Sequence, residues 1–274
     1  MPMPAEARSS REIEPWGVVW AALAIKIDGA VEKFAMDYNL DRSALKKLVL
    51  LHAPRFSFEE LASGDTLDRE ADRLARRMSE MLCGYRELND RPRIASLSRV
   101  DVRLDLVPDS LARLIHERFH YLGTPRDGCH FGLYHVAEPD IPAGLATVSL
   151  LDVDHLRARI EPGAGAEQGS IVSRVFAFPW APRNTISSLL GSITRQIRSE
   201  RPGRGVVFTY VNPNLGFQAT SYRAANWHPD GVHPLVYRYL DGNYVTARTA
   251  HFRVSEITRS KFQLDPLEVW RMDW

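Results

Sequence analysis

Apolar residues follow two rhythms along this chain, and the change comes near residue 90. Before it the period is helical. Val19, Trp20, Leu23, Ile27, Ala30, Val31 and Phe34 share one face at three- and four-residue spacing. Asp41 is placed to cap "RSALKKLVLLHA", which Pro54 closes. Asp65 or Thr66 is placed to cap "LDREADRLARRMSEMLCGY", where Leu67, Ala71, Leu74, Met78, Met81 and Leu82 make a stripe that Gly84 ends. Residues 1–15 are polar and rich in Pro and Ser, a composition expected to stay disordered. The predicted division is a tail of 1–15, a helical extension of 16–90 and a second domain of 91–274, with the break at "NDRPR" (89–93).

Past the break, strand and helix patterns alternate. "VDVRLDLV" (100–107) reads as a strand with one solvated face, and "PDSLARLIHERFHYLG" as a helix over 109–122. "HFGLYHVA" and "AGLATVSLLDV" read as strands, followed by the Gly-rich "EPGAGAEQGS". Then come a strand at 171–179, a helix at 185–199, a strand at 205–211, a helix at 216–225 and a hairpin turned at Asp241-Gly242. That order predicts an α/β fold, a mixed sheet flanked by helices, with an all-helical N-terminal extension.

Composition narrows the function. Of 274 residues, 35 are basic and 34 acidic, so the formal net charge is +1, and a nucleic-acid partner would need a local basic patch. Candidate patches are "RPRIASLSRVDVR" and Arg195, Arg198, Arg201 and Arg204, the second set also suited to a helix C-terminus. The two cysteines, Cys83 and Cys129, fit no ligand pattern and read as reduced thiols. Neither a signal-peptide pattern nor an apolar run of spanning length is visible, so the expectation is a cytoplasmic protein without membrane contact.

The chemistry concentrates in "SRVFAFPWAPRNTISSLLGSITRQIR" and "TYVNPNLGFQATSYRAANW". In the first, a strand runs to Pro179 and a helix starts at Asn184 or Thr185, with Ile186, Leu189, Leu190, Ile193 and Ile197 on one face. Its first turn holds no acid and two serines, with Arg183 just upstream, so its amides form a ready anion site. Arg183, Asn184, Thr185 and Ser187 are the candidate phosphate contacts, and backbone near Phe178 would polarise a bound carbonyl. The next strand ends at Asn212 and Asn214, and Tyr222 follows as a candidate general acid for a leaving group.

"HERFH" at 116–120 spells H-E-x-x-H, but no third ligand stands at a family spacing, so no metal is expected. A hydrolase of that type would carry stoichiometric zinc. Instead, His120 and Tyr121 are read as projecting from a helix end as general base and aromatic wall of an acceptor site.

The element order resembles the GNAT acyltransferases. In that family the central helix start holds a CoA pyrophosphate, the neighbouring strands splay, and a Tyr in the following helix protonates the departing thiolate. Where the family's phosphate-loop glycines stand, this chain has "WAPRNTIS". "SRVFAFPWAPRNTISSLLGSI" together with "GFQATSYRAANW" resembles the Mom family, GNAT-like phage enzymes that modify adenine in DNA. "HYLGT" with "YRAANW" is also similar to a group of bacterial GNAT-like proteins.

The resemblance implies an N-acyltransferase. Its donor would be an acyl-CoA or an aminoacyl-tRNA, held by Arg183, Asn184, Thr185, Ser187 and the Phe178 segment. Tyr222 would act as acid, and His120 or a water ordered by Asn212 as base. Tyr121, Asn214 and Arg223 would line the acceptor side. A small-molecule amine, as in natural-product biosynthesis, is favoured over duplex DNA on charge grounds. Two rivals stand beside this reading: Mom-type adenine modification, which calls for a continuous basic groove, and a non-catalytic nucleic-acid-binding protein with a degenerate GNAT fold.

Overall fold

The computed structural model describes residues 15–55, 64–98, 101–160, 169–201, 203, 205–234, 237–240, 243–246 and 266–274. The expected tail of 1–15, apart from Pro15, and most of the Gly-rich loop lie outside the described residues.

The helical rhythm becomes α1 (Pro15–Tyr38), α2 (Arg42–His52), α3 (Gly64–Gly84) and the single turn α4 (Arg86–Asn89). Asp41 caps α2 by accepting the Ala44 amide at 2.7 Å. Helix α3 opens at Gly64, so Asp65 sits inside its first turn, where its charge complements the helix dipole, rather than in front of it. The whole predicted stripe of α3, from Leu67 to Leu82, is buried.

The sheet is built from β1 (Val102–Leu106), β2 (Cys129–His135), β3 (Gly144–Leu150), β4 (Gly169–Ala177), β5 (Val206–Val211), β6 (His228–His233) and β9 (Leu267–Asp273). Spatial order is β1-β2-β3-β4-β5-β9-β6. Every neighbouring pair is antiparallel except β4 and β5, which run parallel. Helix α5 (Asp109–Arg118) links β1 to β2, the turn α6 (Asp154–Arg157) precedes β4, and α7 (Thr185–Glu200) makes the crossover from β4 to β5. This is the mixed sheet flanked by helices, with an all-helical N-terminal extension, that the sequence predicts. The hairpin β7 (Tyr237–Leu240) and β8 (Asn243–Thr246) forms a separate ladder with Leu240 opposite Asn243.

Four elements differ most from expectation. Helix α5 stops at Arg118, because Phe119 turns fully into the core, and His120 and Tyr121 therefore leave the helix. The helix expected over 216–225 is only α8 (Thr220–Ala224), preceded by a 3-10 turn at Pro213–Leu215. Gly216 at φ +74 and Ala219 at φ 52 bend the chain left-handedly between the two. Strands β6 and β9 went unforeseen: "HPDGVH" has no apolar alternation, and it becomes a strand only by pairing with β9, which itself lies on β5.

One face of the sheet carries α5 and the helical extension. Leu45, Leu74 and Met78 from the extension share a core with Ile115, Phe119, Leu145, Phe176, Phe178 and Trp180. The opposite face carries α7 and α8, where Leu189, Leu190 and Ile193 pack on Ala146, Val172 and Val207. The extension thus buries the part of this face formed by β2, β3 and β4.

Candidate functional site

Parallel pairing of β4 with β5 lasts only from Gly169–Val206 to Val172–Thr209, although β4 continues to Ala177 and β5 to Val211. Beyond Val172 and Thr209 the two strands part. Thr209 Oγ1 donates to the Val172 carbonyl at 2.9 Å and pins the apex of the fork. A cleft of about 950 Å³ opens there, lined by Ser173 to Ala177 on one arm and Thr209 to Asn212 on the other.

The cleft reaches both faces of the sheet. Strand alternation on β5 sends Val207 and Val211 to the α7 core and Phe208 and Tyr210 to the opposite side. Ile186 of α7 and Tyr222 of α8 close the cleft on the first side. His120, Tyr121, Leu51 at the end of α2, and His155 in α6 wall it on the second. A substrate entering from each side would therefore meet at the fork.

On the α7 side, Asn184 sits at φ 67 and makes no side-chain cap. Thr185 turns its hydroxyl back to the Pro182 carbonyl at 2.7 Å and is buried, so its side chain is committed to the loop. Ser187 donates to the Asn184 carbonyl at 3.0 Å. The Ile186 and Ser187 amides have no backbone acceptor among the described residues, and the first turn holds no acid. Arg183 and Asn184 are exposed beside them. None of Arg183, Asn184, Thr185 and Ser187 lines the cleft; Ile186 alone connects it to the helix start.

Phe178 lies elsewhere. It is 3% exposed, stacks on Trp180 at 5.6 Å and meets Phe119 edge-on at 5.3 Å in the core. Its amide donates to the Ala143 carbonyl at 3.1 Å, so it is not available to a ligand. The two-residue alternation of the β3–β4 ladder then turns the Val175 and Ala177 amides towards the opening left by β5. Those two amides, rather than the one at Phe178, face the fork.

Tyr222 sits half-buried with Thr209 Oγ1 3.5 Å from its hydroxyl and Trp227 edge-on at 5.5 Å. Burial raises its pKa, with the Thr209 contact opposing, so the phenol keeps its proton. The Asn-Trp pair that ends this stretch has a structural reason. Asn226 adopts φ 63, and the Trp227 amide returns to the Tyr222 carbonyl at 3.0 Å, locking the ring's position. Asn212, 3% exposed, lies at the rim of the fork. Asn214 falls in the 3-10 turn at Pro213–Leu215. Arg223 stacks over Trp270 at 5.4 Å, outside the cleft lining.

His120 and Tyr121 are stacked at 4.5 Å, and Tyr121 also packs on Phe217 at 5.5 Å. His120 Nδ1 accepts the Leu122 amide at 3.2 Å, which places the proton of the neutral ring on Nε2. Burial, with Arg174 and His116 nearby, holds its pKa well below the usual value, so the ring is neutral. In this tautomer His120 presents a donor, where the sequence reading expects a base.

The His116 ring meets His120 edge-on at 5.8 Å, but its Nε2 is engaged with a hydroxyl. Its Nε2 pairs with Thr147 Oγ1 at 2.7 Å, and Thr147 also meets His130 Nδ1 at 2.8 Å, while His130 Nε2 reaches Asp109 at 3.1 Å. Glu117 is exposed. Among the described residues no group of three or more His, Cys, Asp or Glu is placed to hold a metal, and no helix is long and apolar enough to cross a membrane.

Several lining residues escaped the sequence reading: Arg174, Tyr210, Phe217, His155 and His233. Arg174 was within reach, as the lone cation of the "SRVF" strand. His155 and His233 come from segments with no motif and meet only in the fold.

The profile of the Mom protein family matches residues 101–270. Among curated proteins none matches the sequence. Among solved structures, a chimera of spermidine N-acetyltransferase from Vibrio cholerae and hSSAT is similar at TM-score 0.39 and 9% identity, covering 63% of this chain and 95% of that one. A malonyl-CoA decarboxylase from Rhodopseudomonas palustris is similar at TM-score 0.30 and 13% identity, covering 74% of this chain and 58% of that one. The Agrobacterium vitis decarboxylase gives 0.31 and 17%, covering 71% and 57%.

Proposed function

The chain belongs to the Mom protein family, and from that premise we propose that it is an N-acyltransferase working at the β4–β5 fork, with an acyl-CoA as donor and a small planar amine as acceptor. The observation that carries the reading is the fork itself, a cleft open to both faces of the sheet at the point where the parallel ladder ends. The donor's anionic handle rests at the start of α7, on the Ile186 and Ser187 amides beside Arg183. Its thioester carbonyl meets the Val175 and Ala177 amides, which stabilise the developing oxyanion. The amine enters along Tyr121, Phe217 and His120, whose Nε2–H orients it. Tyr222 gives its proton to the leaving thiolate. Nothing among the described residues favours an aminoacyl-tRNA over the acyl-CoA.

The test is acetyl-CoA turnover, read as released thiol, with adenosine as a planar amine. Tyr222→Phe should lower kcat by about 10²-fold or more and leave KM for acetyl-CoA in place. Wild-type kcat in that variant would end the assignment.

Family membership favours a second reading, an adenine in DNA as acceptor. The described arginines weigh against a duplex groove. Arg91 pairs with Glu138 and Arg103 with Asp105, and Arg195, Arg198 and Arg201 lie towards the other end of a helix about 24 Å long. Salt-dependent retention of single-stranded over duplex DNA, and acylated adenine in digests of treated DNA, would bring this reading forward.

A further inference from the structure

The proposed reaction leaves one role unfilled. The amine loses a proton when it attacks, and His120 offers a hydrogen there instead of a lone pair. On the same side of the sheet, Tyr210 projects from β5 just past the fork, opposite in direction to Thr209. Its hydroxyl lies 2.8 Å from His155 Nε2. His155 lies flat against His233, with ring centroids 3.9 Å apart and planes at 4°. Tyr210, His155 and His233 come from β5, α6 and β6, and all three line the cleft.

We propose, resting on the acyl-transfer reading, that Tyr210 and His155 form the general base for the acceptor amine. As the amine nitrogen bonds to the thioester carbon, its proton passes to Tyr210 Oη. The phenolic proton moves along the 2.8 Å hydrogen bond to His155 Nε2, giving an imidazolium. The carbon–sulfur bond breaks, and the thiolate takes the proton of Tyr222. His155, half-buried at the cleft mouth, returns its proton to water, and Tyr222 regains one. Acid and base thus stand on opposite faces of one sheet, and neither can quench the other directly. His233 is the stacking partner of the base. The stacked ring makes a standing charge on His155 costlier, so His155 rests neutral and is ready to accept. The other charged groups around His155 are Asp154 on its own turn and Arg159, which is ion-paired to Asp230 at 2.8 Å. His155 is accordingly lowered from its ordinary pKa, first by burial and then by His233.

The experiment measures kcat/KM against pH for acetyl-CoA with adenosine, in wild type, Tyr210→Phe and His155→Gln, alongside an NMR titration of the histidine rings. Expected are an acid limb in the wild-type profile, its loss in His155→Gln, a fall in kcat of about 10²–10⁴-fold in both variants, and unchanged KM for acetyl-CoA. Excess imidazole should restore turnover to His155→Ala. In the NMR titration His155 should change its midpoint when Tyr210 becomes Phe. A His155→Gln enzyme with wild-type kcat and acid limb overturns the proposal. If wild type fails to turn over acetyl-CoA at all, the acyl-CoA reading falls. The pair is then judged by NMR alone, and a His155 that titrates like a free imidazole, unaffected by Tyr210→Phe, overturns it as well.

Discussion

Acidification tests the packing behind the cleft. His52, His116 and His120 are each at most 4% exposed between the helical extension and the sheet. Burial pushes His52 down from 6.5 to about 4 and His116 to about 3, and it holds His120 well below 6.5. A ring neutral in the fold but titrating near 6.5 when unfolded makes the unfolded chain the stronger proton binder below that pH. Stability is therefore fully present above about pH 6.5 and falls as pH drops towards the folded values. At pH 5 each ring that stays neutral forfeits about 2 kcal/mol, because 1.5 pH units at about 1.36 kcal/mol each apply to it. Three rings together forfeit about 6 kcal/mol between pH 7.5 and pH 5, which is much of the stability of an ordinary domain. The assay is urea unfolding, followed by tryptophan fluorescence, at half-unit steps from pH 7.5 to 5. Near pH 5 the slope should approach about 4 kcal/mol per pH unit, three protons taken up on unfolding. His52→Gln, which keeps a donor for the Phe119 carbonyl now bonded at 3.0 Å, should remove one proton from that slope. A slope below about 1.4 kcal/mol per unit would refute the claim that these rings are neutral in the fold.

Three further outcomes separate donor contacts from core. Ser187→Asp should stabilise α7 by about 0.3–1 kcal/mol through the helix dipole, yet weaken CoA binding more than tenfold in calorimetry, because the new carboxylate occupies the anion's place. Phe178→Leu should cost about 1–3 kcal/mol in urea unfolding while the CoA Kd of the folded protein stays unchanged, since the ring packs on Phe119 and Trp180. Ala219→Gly relieves about 1–2 kcal/mol of left-handed strain at φ 52 against about 0.5–1 kcal/mol of added chain entropy, so Tm should rise slightly; a fall would show that the Ala219 methyl is needed for packing.

Local pattern determined much of this protein. The apolar stripes of α1, α3 and α7 name their own buried faces, because a 3.6-residue period admits only one dry side. Asp41 writes the start of α2 into the sequence. The acid-free first turn after Arg183, and the position of Tyr222 just beyond a strand, were equally legible, as both depend on neighbours within a few residues.

The tertiary structure decided what depends on distance. Strand β6 exists only because β9 comes back to it from the end of the chain. Phe178 reads as a site residue until the extension closes over it. The tautomer of His120 is set by the turn after α5, which forms because Phe119 must enter the core. Tyr210, His155 and His233 carry no motif; they stand together because β5, α6 and β6 end on the same side of the fork. A hydrogen bond between residues 55 positions apart is a property of the sheet's topology, and no window along the sequence contains it.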